Sequence, residues 1–173
     1  MEESLETQIG ALLRLKRWKL ATAESFTGGL ISDRITNIPG SSDYFIGGMI
    51  TYAYEAKVAL LGVSWETIKQ TGAVSRETVL EMAEGARQRL EADVAVSVSG
   101  IAGPGGGLPH KPVGTAWVGL AGADGCWARL FHFPGNRLEV KAAGAQAALQ
   151  MLLEYLEGKR ELEKNNPQEH REK

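Results

Sequence analysis

A segment rich in hydroxyls and glycines is the first place in the sequence where side chains of suitable type could perform chemistry. It reads Glu24-Ser25-Phe26-Thr27-Gly28-Gly29 and follows a short apolar run, so it is predicted to lie where a strand turns into a helix. A serine at such a turn faces unpaired backbone N–H groups, which favour an anion or an oxyanion. The same serine or threonine could instead serve only as a helix N-cap. Both interpretations stay open at this point.

Lys57 is the second candidate, because it lies in an unusually apolar stretch. That stretch runs Tyr52-Ala53-Tyr54-Glu55-Ala56-Lys57-Val58-Ala59-Leu60-Leu61. Desolvation lowers the pKa of a lysine, and the neutral amine can then act as a base. A lysine in such a stretch could equally extend its ammonium group to the surface, and the sequence leaves both interpretations open.

Two further features could bind an anion. Glycine accounts for 21 of the 173 residues, and many of these fall in a loop over residues 100–107. The N–H groups of such a loop could cradle a phosphate or a sugar, or the loop could simply be a flexible surface segment. Arg137 is predicted in the first turn of a helix, where the helix dipole disfavours a cation. That placement indicates either an anionic partner or a neighbouring carboxylate.

General catalytic and binding motifs are not matched. The glycine loop is not a P-loop, because neither a glycine before Lys111 nor a Ser or Thr after it is present. Ser25 lacks the flanking glycines of the hydrolase elbow. The three histidines lie far apart, so neither a metal nor a cofactor is predicted. Cys126 is predicted to be a small, buried strand residue.

Alternating strands and helices must position these residues. Strands are predicted near residues 19–23, 44–52, 93–99, 113–121 and 126–133, and helices near 4–18, 30–38, 55–61, 64–72, 75–90 and 136–157. Asn136 and Glu139 are expected to form a capping box. This pattern predicts an α/β protein, a three-layer α/β/α sandwich with a mixed sheet. Residues 1–157 are expected to form one domain, and residues 158–173 a charged, disordered tail.

The composition excludes several classes of protein. The net charge is −2, which argues against a dedicated nucleic-acid binder. The apolar runs are far shorter than the roughly 20 residues that a membrane span needs. The start Met1-Glu2-Glu3 is acidic where a secretion signal is basic, and a lone cysteine suits a reducing compartment. We therefore expect a cytoplasmic protein that binds a small molecule but no nucleic acid or membrane, and leave homo-oligomer formation open.

Seven ordered segments of the chain resemble the CinA C-terminal domain family. The resemblance covers roughly Leu13 to Leu156 and implies an α/β/α sandwich. It also implies hydrolysis of the carboxamide of nicotinamide mononucleotide, which yields nicotinic acid mononucleotide and ammonia. The segments are Ala23-Glu24-Ser25-Phe26-Thr27-Gly28-Gly29, Pro39-Gly40-Ser41-Ser42, Thr51-Tyr52 with Glu55-Ala56-Lys57, Leu61-Gly62-Val63, Gly72-Ala73-Val74-Ser75, Ser99-Gly100-Ile101-Ala102-Gly103-Pro104-Gly105-Gly106 and Phe133-Pro134-Gly135-Asn136-Arg137.

The resemblance also implies roles for individual residues. Ser25 matches the family's nucleophile and Lys57 its base, with Tyr52 near the pair. Amide hydrolysis needs donors for the oxyanion, and the backbone N–H groups of Thr27 and Gly28 are the expected ones. Phe26 departs from the cysteine that is common in the family, and Ser99 from the frequent threonine. Substrate contacts are expected from Gly29, Ser99, Gly100, Gly103, Gly105, Gly106 and Arg137.

Two other classes of function compete with an amidase. A non-catalytic nucleotide-binding module would have the same fold, although the presence of both Ser25 and Lys57 counts against it. A DNA-associated role is suggested only by the family's name, and the acidic charge balance disfavours it.

Overall fold

The computed structural model describes residues 3–159, which form one mixed sheet of five strands. The strand order is β2-β1-β3-β4-β5, in which β1 is parallel to both of its neighbours. β4 is antiparallel to β3 and to β5, so the predicted mixed sheet is confirmed. Almost all of the predicted charged tail lies outside the described residues. The strands are β1 (Leu20–Glu24), β2 (Phe45–Ile50), β3 (Val94–Gly100), β4 (Thr115–Gly122) and β5 (Gly125–His132).

Helices cover both faces of this sheet and confirm the predicted three-layer sandwich. On one face α1, α2 and α6 pack against one another, and on the other face α3 and α4 pack against α5. The predicted elements are all present, with ends that differ by at most two residues. The helices are α1 (Leu5–Lys16), α2 (Leu30–Thr36), α3 (Tyr54–Leu61), α4 (Trp65–Thr71), α5 (Arg76–Arg89) and α6 (Arg137–Leu156).

Local sequence signals explain where several helices begin. Ser64 and Ser75 cap α4 and α5, and Asn136 with Glu139 forms the predicted capping box at the start of α6. These caps satisfy backbone N–H groups that a helix leaves unpaired at its first turn. The prediction of a buried Cys126 is wrong: the residue lies on the edge strand β5, where its side chain is exposed.

The sheet topology creates a crevice at the carboxyl ends of β1 and β3. From β1 the chain continues through α2 to β2 on one side, whereas β3 lies on the other side of β1 and leads to β4. In open α/β sheets ligands bind at such a switch point, because the loops there diverge. Ser25 directly follows β1 and Gly100 ends β3, so both residues lie at this crevice.

Candidate active site

Ser25 and Lys57 form a buried hydrogen-bonded pair at the crevice. Ser25 follows β1, and Lys57 lies on α3, which the chain reaches only after β2. The Lys57 Nζ donates to Ser25 Oγ at 2.9 Å. Ser25 is 7% exposed and Lys57 only 1%. The alternative in which Lys57 extends to the surface is therefore excluded.

The surroundings of Lys57 suit a base. Burial lowers the pKa of Lys57 to about 8. Its Nζ also donates to the carbonyl oxygens of Thr51 at 2.7 Å and Tyr52 at 3.2 Å. An ammonium group can donate to all three oxygens, whereas a neutral amine has two hydrogens and one lone pair. The neutral amine can therefore donate to the two carbonyls and accept the proton of the Ser25 hydroxyl.

Ser25 does not cap the helix that follows it. Helix α2 begins at Leu30, and its N-cap is Gly29, which has a φ of 105° and no side chain for capping. The carboxylate of Glu24 supplies the missing acceptors, since it accepts from the N–H groups of Gly29, Ile31 and Ser32 at 3.1, 3.0 and 2.8 Å. The Ser25 hydroxyl thus stays available to Lys57, and the N-cap interpretation of Ser25 is wrong.

Two of the predicted ligand donors in this turn already have partners within the protein. The N–H of Gly28 donates to the carbonyl oxygen of Ser25 at 3.1 Å, and the N–H of Gly29 is held by Glu24. Thr27 contacts Glu24 through its hydroxyl, which donates at 2.6 Å, and not through its backbone N–H. Thr27 and Gly28 as oxyanion donors and Gly29 as a substrate contact stay predictions. To bind a ligand, the N–H groups of Gly28 and Gly29 would have to give up their present hydrogen bonds within the protein.

A cleft of about 200 Å³ opens beside the pair. It brings together five of the predicted site residues, which are Ser25, Tyr52, Lys57, Gly100 and Arg137. The predicted oxyanion residues Thr27 and Gly28 do not line it, and neither do five predicted substrate contacts, which are Gly29, Ser99, Gly103, Gly105 and Gly106. The remaining lining residues are Phe26, Tyr54, Ala73, Val74 and Ala102.

Two of these predicted contacts support the wall of the cleft instead. The buried Ser99 hydroxyl donates to the carbonyl of Ala73 at 2.7 Å, so it ties β3 to the segment between α4 and α5. The carbonyl of Gly103 accepts a hydrogen bond from Arg137 at 2.7 Å. Phe26 also supports the wall: its ring lies against the backbone of Gly100 and of Gly144.

Arg137 stands at the mouth of the cleft with its charge unmatched. Its guanidinium donates to Gly103 and to the phenol oxygen of Tyr52, the latter at 2.9 Å. Within residues 3–159 it forms no ion pair, so a neighbouring carboxylate does not explain its place in the first turn of α6. Tyr52 therefore has two contacts: its phenol meets Arg137, and its carbonyl meets Lys57.

Sequence reasoning gave no role to several residues of this site. Glu24 was visible as a carboxylate at the end of an apolar strand, just before two glycines, and that contrast was a usable signal. Ala73 and Val74 belong to one of the segments that carry the family resemblance, which was a usable signal, whereas Tyr54 reaches the cleft through tertiary packing that no local pattern predicts. No group of His, Cys, Asp and Glu side chains in the described part of the chain is arranged to hold a metal ion. Among residues 3–159 there is also no helix that is both long and apolar enough to cross a membrane.

The fold and the site define a three-layer α/β/α protein that carries a buried serine–lysine pair at its topological switch point. Residues 2–156 match the CinA C-terminal domain, and the chain belongs to that family. A competence-damage inducible protein of Halothermothrix orenii is 53% identical over 90% of this chain, and a CinA-like protein of Geobacter metallireducens is 48% identical over 87%. The chain spans only 38% and 36% of the lengths of these two relatives.

Solved structures of the family have the same fold. The competence/damage inducible protein CihA from Agrobacterium tumefaciens is 41% identical, with a TM-score of 0.85 over 88% of this chain and 93% of its own. A CinA superfamily protein from Klebsiella pneumoniae is 32% identical, with a TM-score of 0.86 over 89% of this chain and 96% of its own.

Proposed function

We propose that this protein is an amidase that hydrolyses the carboxamide of nicotinamide mononucleotide, with Ser25 as the nucleophile and Lys57 as the base. The observation that carries the proposal is the buried Lys57 amine, 2.9 Å from the Ser25 hydroxyl. Serine is a weak nucleophile at its free pKa and needs an adjacent base. A lysine with a pKa of about 8 is partly neutral near physiological pH, so it can provide that base.

The first half of the reaction forms an acyl-enzyme. Neutral Lys57 takes the Ser25 hydroxyl proton while Oγ attacks the carboxamide carbon, and the carbonyl oxygen becomes an oxyanion. Backbone N–H groups of the turn over residues 25–29 stabilise that charge. The Lys57 ammonium then gives its proton to the leaving nitrogen, the C–N bond breaks, and ammonia departs from a nicotinoyl ester on Ser25.

The second half releases the product. Neutral Lys57 takes a proton from a water molecule, which attacks the ester carbon, and the proton returns to Ser25 as the ester bond breaks. The product is nicotinic acid mononucleotide. Arg137 at the mouth of the cleft is the group proposed to bind the 5′-phosphate, since its planar fork matches phosphate oxygens. In this mechanism Tyr52 acts beside the pair through its carbonyl, which holds the Lys57 Nζ.

A binding module without turnover is the competing hypothesis. Burial of a lysine disfavours its charged form and so costs free energy of folding. A module that only binds a nucleotide gains nothing from a lysine buried in this way. The distinguishing experiment incubates purified protein with nicotinamide mononucleotide and measures ammonia together with nicotinic acid mononucleotide. Equal amounts of both products that vanish in Ser25→Ala support the amidase. Saturable binding without either product would support the module.

A further inference from the structure

The mechanism above gives no role to the side chain of Glu24, a buried carboxylate beside the pair. It is fully buried at the end of β1, directly before Ser25. It accepts five hydrogen bonds, three from the backbone N–H groups already described and two from the hydroxyls of Thr27 and Ser32 at 2.6 and 2.8 Å. A carboxylate that is buried without an ion-pair partner needs hydrogen-bond donors such as these to replace the water it has lost.

The contacts of Glu24 divide between its two oxygens. Oε2 accepts from Thr27 and Gly29, which belong to the turn that carries Ser25, and from the N–H of Ile31. Oε1 accepts only from Ser32, on the helix itself. One side chain therefore joins the nucleophile turn to the rigid start of α2.

The backbone of Glu24 makes the complementary connection to the base. Its carbonyl oxygen accepts from the N–H of Thr51 at 2.8 Å. The carbonyl of Thr51 in turn accepts from the Lys57 Nζ at 2.7 Å. Glu24 thus connects to the Ser25 turn through its side chain and to the Lys57 acceptor through its main chain.

We propose that Glu24 is a positioning residue that sets the distance between Ser25 and Lys57 by holding the Ser25 turn through Thr27. This proposal rests on the amidase proposed above only in its choice of substrate. A displacement of about 1 Å in a catalytic group can reduce a rate by about a hundredfold, so a turn released from Glu24 should still bind substrate but react slowly. Thr27 then acts through its hydroxyl, in addition to the backbone donor role predicted for it.

The test compares two variants that each remove one hydroxyl from the same carboxylate. Thr27→Val removes the donor on the turn side and keeps the backbone N–H, whereas Ser32→Ala removes the donor on the helix side. We expect Thr27→Val to lower kcat by about tenfold to a hundredfold with KM changed less than threefold. Ser32→Ala should keep kcat within about twofold of wild type. Glu24→Gln, which places an amide N–H₂ opposite these donors, should lower kcat further if it folds.

A second readout tests the role of Glu24 independently of whether nicotinamide mononucleotide is the substrate. p-Nitrophenyl acetate is an activated ester that can acylate a reactive serine, and the mass increase of the intact protein follows acylation of Ser25. Slower acylation in Thr27→Val but not in Ser32→Ala supports the role of Glu24, even if nicotinamide mononucleotide is not turned over. Three results would overturn the proposal. They are equal losses of rate in the two variants, losses of rate that merely parallel a lower melting temperature, and a wild type that reacts with neither compound.

Discussion

Lys57 is the proposed base of this site, and its amine is buried where a hydroxyl and two carbonyls surround it. The Lys57 Nζ donates to the hydroxyl oxygen of Ser25 and to the carbonyls of Thr51 and Tyr52, which fix its direction. Burial of the amine lowers the pKa of Lys57 to about 8. The residue can therefore be tested by removing the side chain and by changing the pH.

Removal of either member of the pair should abolish most of the amidase activity. General base catalysis contributes about 10²–10⁴-fold, so Ser25→Ala and Lys57→Ala should each lower kcat/KM by at least about a hundredfold. Lys69→Ala, which changes an exposed lysine on α4, is the matched control and should be neutral. Circular dichroism checks the fold. Activity within tenfold of wild type in either variant of the pair would contradict the assignment.

The activity should depend on pH through one proton. The proposed mechanism needs neutral Lys57 in the free enzyme. The value of kcat/KM should therefore rise with pH through a midpoint near 8, the pKa of Lys57, and level off above that pH. Steady-state rates from pH 6 to 10 measure this limb. The residual activity of Lys57→Ala should lack it. A flat wild-type profile would indicate a different base.

At the scale of elements, α6 brings its first turn to the mouth of the cleft. The capping box places Arg137 as the first residue of the helix, where it reaches Gly103 in the glycine loop and Tyr52 in the loop before α3. Two separate loops and the start of α6 thus meet at one guanidinium.

Arg137→Ala should therefore discriminate between substrates with and without a phosphate. A charge-assisted hydrogen bond contributes roughly 1.5–3 kcal/mol, so kcat/KM for nicotinamide mononucleotide should fall by about tenfold to a hundredfold. Nicotinamide riboside lacks the phosphate and should be a poor substrate that the variant affects much less. Leu138→Ala changes the next residue, which is 73% exposed, and serves as the control. Equal losses on both substrates would mean that Arg137 has a structural role.

How far the sequence predicts each element depends on whether its signal is local. The capping box at the start of α6 and the order of strands and helices follow from local pattern, and the structure confirms them. The sequence allows Ser25 to be a helix cap, and only the structure shows that the neighbouring Glu24 carboxylate accepts from the N–H groups at the start of α2 instead. The burial of Lys57 depends on the tertiary packing of α3, which lies against α5, and a helix of eight residues with little amphipathic pattern does not specify that.

For the molecule as a whole, the buried lysine makes stability depend on pH. The pKa of Lys57 is about 8 in the folded protein and near 10.5 when unfolded, so between these values the unfolded chain binds more protons. The free energy of unfolding then rises with pH across that interval. Below pH 8 the folded state bears the full cost of the buried ammonium.

Comparison with a variant that lacks the amine isolates this effect. The wild type should gain up to about 3 kcal/mol of unfolding free energy relative to Lys57→Met between pH 7.5 and 10.5. Denaturant titrations of both proteins at several pH values give the difference. A difference that stays constant, or that falls as the pH rises, would show that burial does not depress the pKa of Lys57.

The contact of Phe26 with α6 makes the order of mutations matter in the history of this chain. A β-carbon at Gly144 would meet the ring of Phe26 and no nearer atom of another residue. Alanine is therefore penalised at position 144 while phenylalanine occupies position 26, although alanine is otherwise the better helix former by about 1 kcal/mol. A lineage that first replaces Phe26 with a small residue can then accept alanine at 144, whereas the reverse order passes through a destabilised intermediate. We expect the two positions to covary among relatives, with glycine at 144 accompanying an aromatic residue at 26.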